Sequence, residues 1–591
     1  MKRAEQKKED TWNLEDIYVN EEAFYADYQQ CKEMIQSINN AQGTLCKSGE
    51  CLFKFIDLYE KTLDYFQRLS TYVTLSSNQD MADPKYQKMN GKVRNLGNLF
   101  SEACSFMEPE ILSNASLIPA FFKDYPALEK YRRFIEEITS QKDHILDEKT
   151  EALLAKVNDL KNANAIFDMF TQADLRFHPI LDQDGKEHEL THGNYIRYLT
   201  SKDRILRENA FKEMWGTYGS YNNTLGEMLK SELKECDFSA KVRNFKSTQE
   251  MEMYYNEIPL SVYENLLEAI HKHLPSLHRY VALRKKIMQV DELHMYDLYY
   301  PLTSMLEKRY DYETGKKLCL EGLSILGDEY ISILKEGFDH RWIDVYENEG
   351  KTTGAYSHGC YGVHPYVLMN YTDTLDDVFT IAHEMGHSIH TYYSNQAQSL
   401  LNSRYKIFVA EVASTCNESL LIHYLMEKCE DREEKKFLIN YFLDQFKGTM
   451  FRQTLFAEFE YQAHDLINRG ESVTAKALNE IYWKLNQQYY GEDMISDEGI
   501  KYEWSKIPHY YMPFYIYQYA TGFAAAIAIS TKILNHEEGI LEKYKAFLSG
   551  GCTKSPIDLL KICGVDMTSI DPIDEALNVF AKYISELEKL I

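Results

Sequence analysis

The sequence predicts a mainly α-helical protein with a small β-sheet near its centre, and three observations support this class. Glycine and proline, which end helices and form turns, number only 27 and 13 among 591 residues. Apolar residues recur at helical spacing over most of the chain, as at Leu52, Phe55, Ile56, Tyr59 and Leu63. Two short stretches interrupt this pattern, and both have the composition of β-structure.

In chain order, the pattern divides the sequence into three regions. Residues 1–115 are predicted to form a series of amphipathic helices. Residues 116–198 continue as helices and end in a β-hairpin, with strands near 175–181 and 187–190 on either side of a glycine-containing turn. Residues 199–591 resume the helical pattern and contain the second interruption.

The second interruption covers residues 352–371. Glycines and Pro365 break its first part, and residues 366–371 have the aromatic and β-branched character of a short strand. We expect this segment to form the sheet near the centre of the helical body.

Composition and charge exclude several classes of protein. The formal charge is −26 and no cluster of Lys and Arg is present, so we expect no nucleic-acid partner. No run of about 18 apolar residues offers a membrane span, and the N-terminal residues lack the apolar stretch of a secretory signal. The 11 cysteines are dispersed without any C-x-x-C pair, which indicates a reducing compartment. We therefore expect a soluble cytoplasmic protein without a membrane partner.

The motif H-E-x-x-H occurs twice, at residues 188–192 and 383–387. On a helix, two histidines four residues apart can reach one Zn²⁺, and the glutamate between them lies close to its bound water. The first match follows the predicted hairpin turn, and in a strand positions four apart are separated by about 13 Å. We interpret its histidines as surface residues of the hairpin.

The second match lies in a predicted amphipathic helix. Thr374 is a plausible N-cap, with Asp376 and Asp377 in the first turn. His383 and His387 fall together beside the apolar stripe of this helix, so the sequence predicts a zinc-binding face there. The stripe consists of Leu375, Val378, Phe379, Ala382, Met385, Ile389 and Tyr392.

A catalytic zinc usually has three protein ligands, and the third is expected from another helix. Glu411 and Glu418 both lie beside the apolar face of the next predicted helix, two turns apart, and their spacing leaves either of them as the ligand. His390 is a further candidate, but about 10 Å of helix rise separates it from His383. We expect His390 to support a ligand or to line the cleft rather than to bind the metal.

These residues resemble a known family. HEMGHSIH, with GAYSHGCYGVHPYVLMNYTDTLDDVFTIA before it and FVAEVASTCNE after it, is similar to the thimet-oligopeptidase-like zinc metallopeptidases, and most of all to their oligoendopeptidase F branch. The similarity continues at residues 507–526 and 547–567 and includes the early Trp12-Asn13-Leu14. It therefore extends over nearly the whole chain.

The resemblance implies a two-lobed helical body that encloses a deep channel for short peptides. Residues 116–198 would be the oligopeptidase N-terminal domain, and residues 199–591 the catalytic zinc metallopeptidase domain. One Zn²⁺ per chain would be bound by His383 and His387 with Glu411 as the third ligand, a choice that the resemblance favours over Glu418. Glu384 would be the catalytic base.

The resemblance also implies histidine and tyrosine side chains that bind the transition state. His509 and Tyr519 match them best, and Tyr515 and Tyr517 are further candidates for contact with substrate. The thimet branch has another tyrosine three residues beyond the position of Tyr519, where this chain has Gly522.

The strand at residues 366–371, with Asn370, is predicted to be an edge strand that pairs with the peptide backbone. Residues 354–356, which include Tyr356, would line the opposite wall. The alternative is that the strand and loop simply pack beneath the zinc helix.

The predicted function is hydrolysis of internal bonds in short unstructured oligopeptides. Zinc-bound water would attack the scissile carbonyl while Glu384 takes its proton. Two alternatives stay open: a metallocarboxypeptidase that trims C-terminal residues, and a non-catalytic peptide-binding protein on the same scaffold.

Overall fold

The computed structural model of the protein describes residues 2–158, 161–303 and 308–591. Helices form most of these residues and the sheets are small, which confirms the mainly α fold class. Every helix in the described ranges is too short or too polar to cross a lipid bilayer.

The chain folds into two compact units, and each unit is assembled from three separate segments. Unit 1 consists of Met1–Asp143, Lys308–His423 and Ile529–Gly564. Unit 2 consists of His144–Glu307, Tyr424–Ala528 and Val565–Ile591. The predicted sequence regions 1–115, 116–198 and 199–591, and the channel implied by the resemblance, stay predictions.

The helices of the first half of the chain include the predicted amphipathic series. In chain order they are α1 Glu21–Asn39, α2 Gly49–Gln79, α3 Pro84–Cys104, α4 Met107–Ser113, α5 Ile118–Asp124, α6 Arg132–Ser140, α7 Glu148–Asn158, α8 Ala163–Asp168, α9 Tyr195–Leu199, α10 Arg204–Ser220, α11 Asn222–Val242, α12 Thr248–Tyr255 and α13 Leu260–Met288.

The helices of the second half contain most of the candidate site residues. They are α14 Tyr312–Gly322, α15 Asp328–Asp339, α16 Leu375–Ala397, α17 Ile407–Lys428, α18 Arg432–Phe446, α19 Gln453–Asn468, α20 Ala475–Tyr490, α21 Tyr517–Leu534, α22 Ile540–Leu548, α23 Pro556–Ile562 and α24 Asp571–Leu590.

The predicted hairpin is confirmed, but its strands are short. Strands β1 (Ile180–Leu181) and β2 (Glu187–His188) pair in antiparallel orientation. The pairing stops early because the flanking backbone bonds to side chains instead: the N–H of His178 donates to Glu213, and that of Thr191 donates to Asn194.

A second small sheet, which belongs to unit 2, was not predicted from the sequence. Strand β3 (Leu293–His294) pairs in parallel with β7 (Met494–Ile495). Each strand has two residues, which is too short to produce an alternating pattern.

The sheet of unit 1 corrects one expectation. It has the order β4 (Ile343–Asp344), β6 (Tyr366–Leu368), β5 (Tyr356–His358), with β6 parallel to β4 and antiparallel to β5. The predicted edge strand, β6, is therefore the middle strand, and both of its edges are already paired. Among these three strands, β5 is a half-buried edge strand, whereas β4 is buried.

Candidate active site

Helix α16 positions the two histidines of the second motif. It begins after Thr374, whose Oγ1 accepts a hydrogen bond from the N–H of Asp377, while the carboxylate of Asp377 accepts one from the N–H of Thr374. The predicted N-cap is thus confirmed. The predicted apolar stripe is largely buried, and His383 and His387 lie beside it with 28% and 18% of their side chains exposed.

The side chains of His383, His387 and Glu411 converge. The Nε2 atoms of the two histidines are 3.2 Å apart, and Glu411 Oε2 lies 3.4 Å from His383 Nε2 and 3.5 Å from His387 Nε2. Ligand atoms held about 2.1 Å from a tetrahedral Zn²⁺ are about 3.4 Å apart. These three donors therefore fit one zinc ion, and within the described ranges no other group of His, Cys, Asp and Glu side chains converges in this way.

A close contact between α16 and α17 brings Glu411 to the histidines. A Cβ atom at Gly386 would lie 2.6 Å from the Cα of Ser414 and 2.9 Å from the carbonyl oxygen of Ala413. Asn417 Nδ2 also donates to the carbonyl oxygen of Ala382 at 3.0 Å. Only glycine permits this approach, so the residue between Met385 and His387 has a packing role that the sequence analysis did not identify.

Side chains on α17 also orient the candidate ligands. Glu418 Oε1 lies 2.5 Å from His383 Nδ1, which leaves Nε2 of that ring to face the other donors. Ser414 Oγ donates to Glu411 Oε2 at 3.1 Å. Glu418 therefore supports a ligand from behind, and it is Glu411 that lies among the donors.

Glu384 lies between the two histidines in sequence and is 7% exposed. Its Oε2 atom has no hydrogen-bond partner among the described residues. Burial raises the pKa of this carboxyl, although the nearby His383 and His387 oppose the shift. A buried carboxylate with an available oxygen atom next to a metal site has the properties of a general base.

His390 is not part of a cleft wall. Its side chain is 1% exposed and stacks on Tyr405, with ring centroids 3.9 Å apart, and its ring centroid is 5.4 Å from that of Phe547. Burial lowers the pKa of His390 to about 3. The expectation that His390 lines the cleft is wrong because this part of α16 packs against neighbouring aromatic side chains.

The first H-E-x-x-H match lies outside any helix, which agrees with the prediction. His188 Nε2 bonds to Asp182 at 2.8 Å, and His192 Nε2 bonds to the hydroxyl of Tyr218 at 2.8 Å. The two histidines are half-buried and have separate partners, so they are less exposed than expected and do not form a metal site.

Tyr356 and Asn370, the predicted substrate contacts of unit 1, both have structural partners. The hydroxyl of Tyr356 accepts a hydrogen bond from Asn78 Nδ2 at 2.6 Å. Asn370 Nδ2 donates to the carbonyl oxygens of Thr352 and Gly354, at 3.0 and 2.8 Å. These bonds hold the loop before β5 in place, and contact of either residue with substrate stays a prediction.

Strand β5 is hydrogen-bonded to helix α16 and has one unpaired edge in the sheet. Ser357 Oγ and Ser388 Oγ are 2.8 Å apart. On β6, the N–H groups of Val367 and Met369 donate towards β4, so the backbone groups of Leu368 between them face β5. In this alternation, the N–H and C=O groups of Ser357 point away from β6.

Unit 2 contains a cluster formed by three of the predicted residues. The rings of His509 and Tyr515 are stacked with centroids 6.1 Å apart, and Tyr519 meets both rings edge-on. The Tyr519 hydroxyl lies 3.4 Å from His509 Nε2. All three side chains are half-buried, and burial lowers the pKa of His509.

Tyr517 is not available to a substrate. It is 1% exposed, and its ring packs against Tyr263 with centroids 5.2 Å apart. On a helix, the side chains of residues two apart point in directions that differ by about 200°. At the start of α21, Tyr517 therefore faces the interior of unit 2, whereas Tyr519 points away from it. The predicted substrate contact at Tyr517 is therefore wrong.

Comparison with known proteins adds independent findings. The sequence profile of peptidase family M3 matches residues 197–579. The profile described as oligopeptidase F matches residues 113–177.

Several relatives match over most of their length. Oligopeptidase PepF from Bacillus subtilis is 44% identical and aligns over 100% of this chain and 88% of its own. An oligoendopeptidase F homolog from Lactococcus lactis is 37% identical over 98% of this chain and 97% of its own. The crystal structure of oligoendopeptidase-F from Enterococcus faecium superposes with a TM-score of 0.75 at 36% identity, over 96% of this chain and 99% of that one.

Proposed function

The chain belongs to peptidase family M3, and from this premise we propose that it is a zinc-dependent endopeptidase that cuts internal bonds of short, unstructured peptides. Family membership makes the protein a metalloendopeptidase that acts on oligopeptides. One observation carries the finer proposal: three donor atoms lie 3.2 to 3.5 Å apart, beside a buried glutamate with an available oxygen atom.

His383, His387 and Glu411 would hold one Zn²⁺, which the two nitrogen donors and one carboxylate suit in number and type. When bound, zinc supplies Lewis acidity that polarises a peptide carbonyl and lowers the pKa of water. The chain supports this set with Glu418 behind His383 and Ser414 beside Glu411.

Glu384 would move the protons of the reaction. Its carboxylate would take a proton from the attacking water and deliver it to the nitrogen of the leaving amine. The raised pKa of Glu384 favours this role because a more basic carboxylate accepts a proton more readily.

The substrate backbone would pair along the outer edge of β5, instead of along β6 as the sequence suggested. Ser357 offers the outward N–H and C=O groups for this pairing, and its side chain links the strand to α16. Main-chain hydrogen bonds of this kind bind peptides largely independently of their side chains. We therefore propose broad sequence tolerance.

His509 and Tyr519 would donate hydrogen bonds to the oxyanion of the tetrahedral intermediate. Support comes from the resemblance at residues 507–526 and from the half-buried cluster in which their polar atoms are 3.4 Å apart. Preorganised donors of this type stabilise a transition state by about 3 kcal/mol each.

We also propose a cytoplasmic location. None of the 11 cysteines, all of which lie in the described ranges, forms a disulfide, and every one is buried or half-buried. A reducing compartment keeps thiols in this state.

The test is a digest of an unstructured decapeptide, followed by mass spectrometry. We expect internal cuts by the wild-type protein and a loss of at least about 10³-fold in kcat for Glu384→Gln, with the zinc content unchanged. Stepwise release of C-terminal residues would support a carboxypeptidase instead. A wild-type protein that binds zinc but cuts no peptide would contradict the proposal.

A further inference from the structure

A strained backbone position lies inside the segment that carries the His509, Tyr515 and Tyr519 cluster. Phe514 has a φ angle of 51°, in the left-handed region that bulky side chains rarely adopt. Residues held in this region are concentrated at functional sites, where the surrounding structure maintains them. Phe514 directly precedes Tyr515, so its conformation sets the direction of the chain between His509 and the start of α21.

Helix α19 provides the contacts that hold Phe514. The N–H of Phe514 donates to Glu460 Oε1 at 2.8 Å, and Glu460 is 2% exposed. Phe514 is 2% exposed, and the centroid of its ring lies 4.9 Å from that of His464, which is one turn further along α19. The ring of Tyr263, on α13, also meets the Phe514 ring edge-on, with centroids 5.7 Å apart.

The bond to Phe514 is the main polar interaction of the Glu460 carboxyl group within the described residues. Its second oxygen, Oε2, is buried and has no hydrogen-bond partner among the described residues, and none of the ion pairs within those residues includes it. Burial raises the pKa of Glu460 to about 8, so the group is mostly protonated at neutral pH. Glutamine is therefore close to an isostere of this side chain, and its amide oxygen can accept the same bond.

We propose that Glu460 is a positioning residue that, through the N–H of Phe514, maintains the left-handed turn which arranges His509, Tyr515 and Tyr519. The proposal rests on the proposed function, because it takes this cluster to act on the substrate. Glu460 itself touches no substrate. Its removal should misalign the donors in the transition state more than it weakens peptide binding.

The first test compares Glu460→Leu with Glu460→Gln in the full-length zinc-loaded protein. For Glu460→Leu we expect kcat to fall by at least about tenfold with KM nearly unchanged, because only the turn is affected. Glu460→Gln should retain kcat within about twofold because it keeps the acceptor. The matched control is Glu458→Leu, which removes another buried carboxyl of α19, one that bonds to His271 and Tyr489. It should lower the melting temperature but not kcat.

A second pair of variants covers the case in which Glu460→Leu fails to fold. Phe514→Gly and Phe514→Val both remove the ring, but only glycine adopts the left-handed conformation without strain. We expect kcat of Phe514→Val to be lower than that of Phe514→Gly by about tenfold or more.

The outcomes separate this inference from the proposed function. Equal kcat values for the wild-type protein and Glu460→Leu, or for the two Phe514 variants, would overturn the inference while peptide cleavage itself persists. An inactive wild-type protein, or full activity in Tyr519→Phe, would instead overturn the proposed function or the role of the cluster.

Discussion

At the scale of single residues, Glu418 decides which nitrogen atom of His383 faces the candidate metal site. Its bond to Nδ1 directs Nε2 towards Glu411 and His387. Partners of this kind fix the orientation of a ligand histidine and increase its basicity. Glu418 therefore matters for the metal although it is not one of the donors.

We predict that Glu418→Ala weakens zinc affinity by about 10- to 100-fold, because the His383 ring loses the group that orients it. Competition with a chromogenic chelator measures the dissociation constant. Glu427→Ala, an exposed change on the same helix, is the control and should leave the constant unchanged. Equal affinities for wild type and Glu418→Ala would contradict the orienting role.

Sequence reasoning reached some of these residues and missed others for identifiable reasons. Glu411 and Glu418 are two turns apart and share a helix face, so spacing alone could not separate them. Tyr517 was misassigned because the aromatic-rich segment before α21 does not reveal where the helix begins. Glu460 lies far from every motif, and its bond to a backbone N–H leaves no pattern in the sequence.

At the scale of elements, the close approach of α16 and α17 creates the candidate site. At Gly386 the two helices are so close that an added Cβ atom would lie 2.6 Å from the Cα of Ser414. Any side chain at this position would push the two helices apart and separate Glu411 from the histidines.

We predict that Gly386→Ala lowers the free energy of unfolding by about 1 to 3 kcal/mol through overpacking and reduces zinc content. Urea titration and metal analysis measure the two effects. Gly216→Ala is the control. Gly216 lies inside α10, and apart from the adjoining backbone of that helix no atom would lie within 4 Å of an added Cβ, so alanine there should stabilise the protein by up to about 1 kcal/mol. Equal changes in unfolding free energy and in zinc content for Gly386→Ala and Gly216→Ala would contradict the packing role of Gly386.

Helix α16 was predictable as an element, whereas the sheet beside it was predictable only in part. A capping box, a long apolar stripe and the absence of proline gave α16 a strong local signal. Strand β4 has two residues and pairs in parallel with a segment more than 20 residues away. No local pattern encodes such a pairing, which is why β6 was expected at the edge.

At the scale of the whole molecule, the formal charge of −26 should influence which peptides reach the site. Fields of this sign attract cations over about a Debye length and are screened by salt. We compare two peptides that share a cleavage site but carry net charges of about +3 and −3. At about 0.02 M salt we predict a higher kcat/KM for the cationic peptide than for the anionic one. At about 0.5 M salt we predict that kcat/KM of the cationic peptide falls several-fold. A neutral peptide is the control. Identical salt dependence for all three would contradict this expectation.

Sequence patterns alone could not predict the division of the chain into two units. Each unit combines three segments that are distant in the chain, and the same helical periodicity continues across their boundaries. Burial patterns identify which face of a helix is covered but not which distant helix covers it. The resemblance supplied the idea of two lobes, and periodicity alone did not.

The segmented construction of unit 1 has a consequence for biosynthesis. The candidate ligands His383, His387 and Glu411 belong to a unit whose last segment is Ile529–Gly564. A ribosome must therefore translate the chain as far as residue 564 before this unit has all of its parts, and until then the nascent polypeptide exposes apolar helix faces. Chaperone binding during translation would protect such an intermediate, and the protein would acquire its metal only after the third segment of unit 1 has been synthesised.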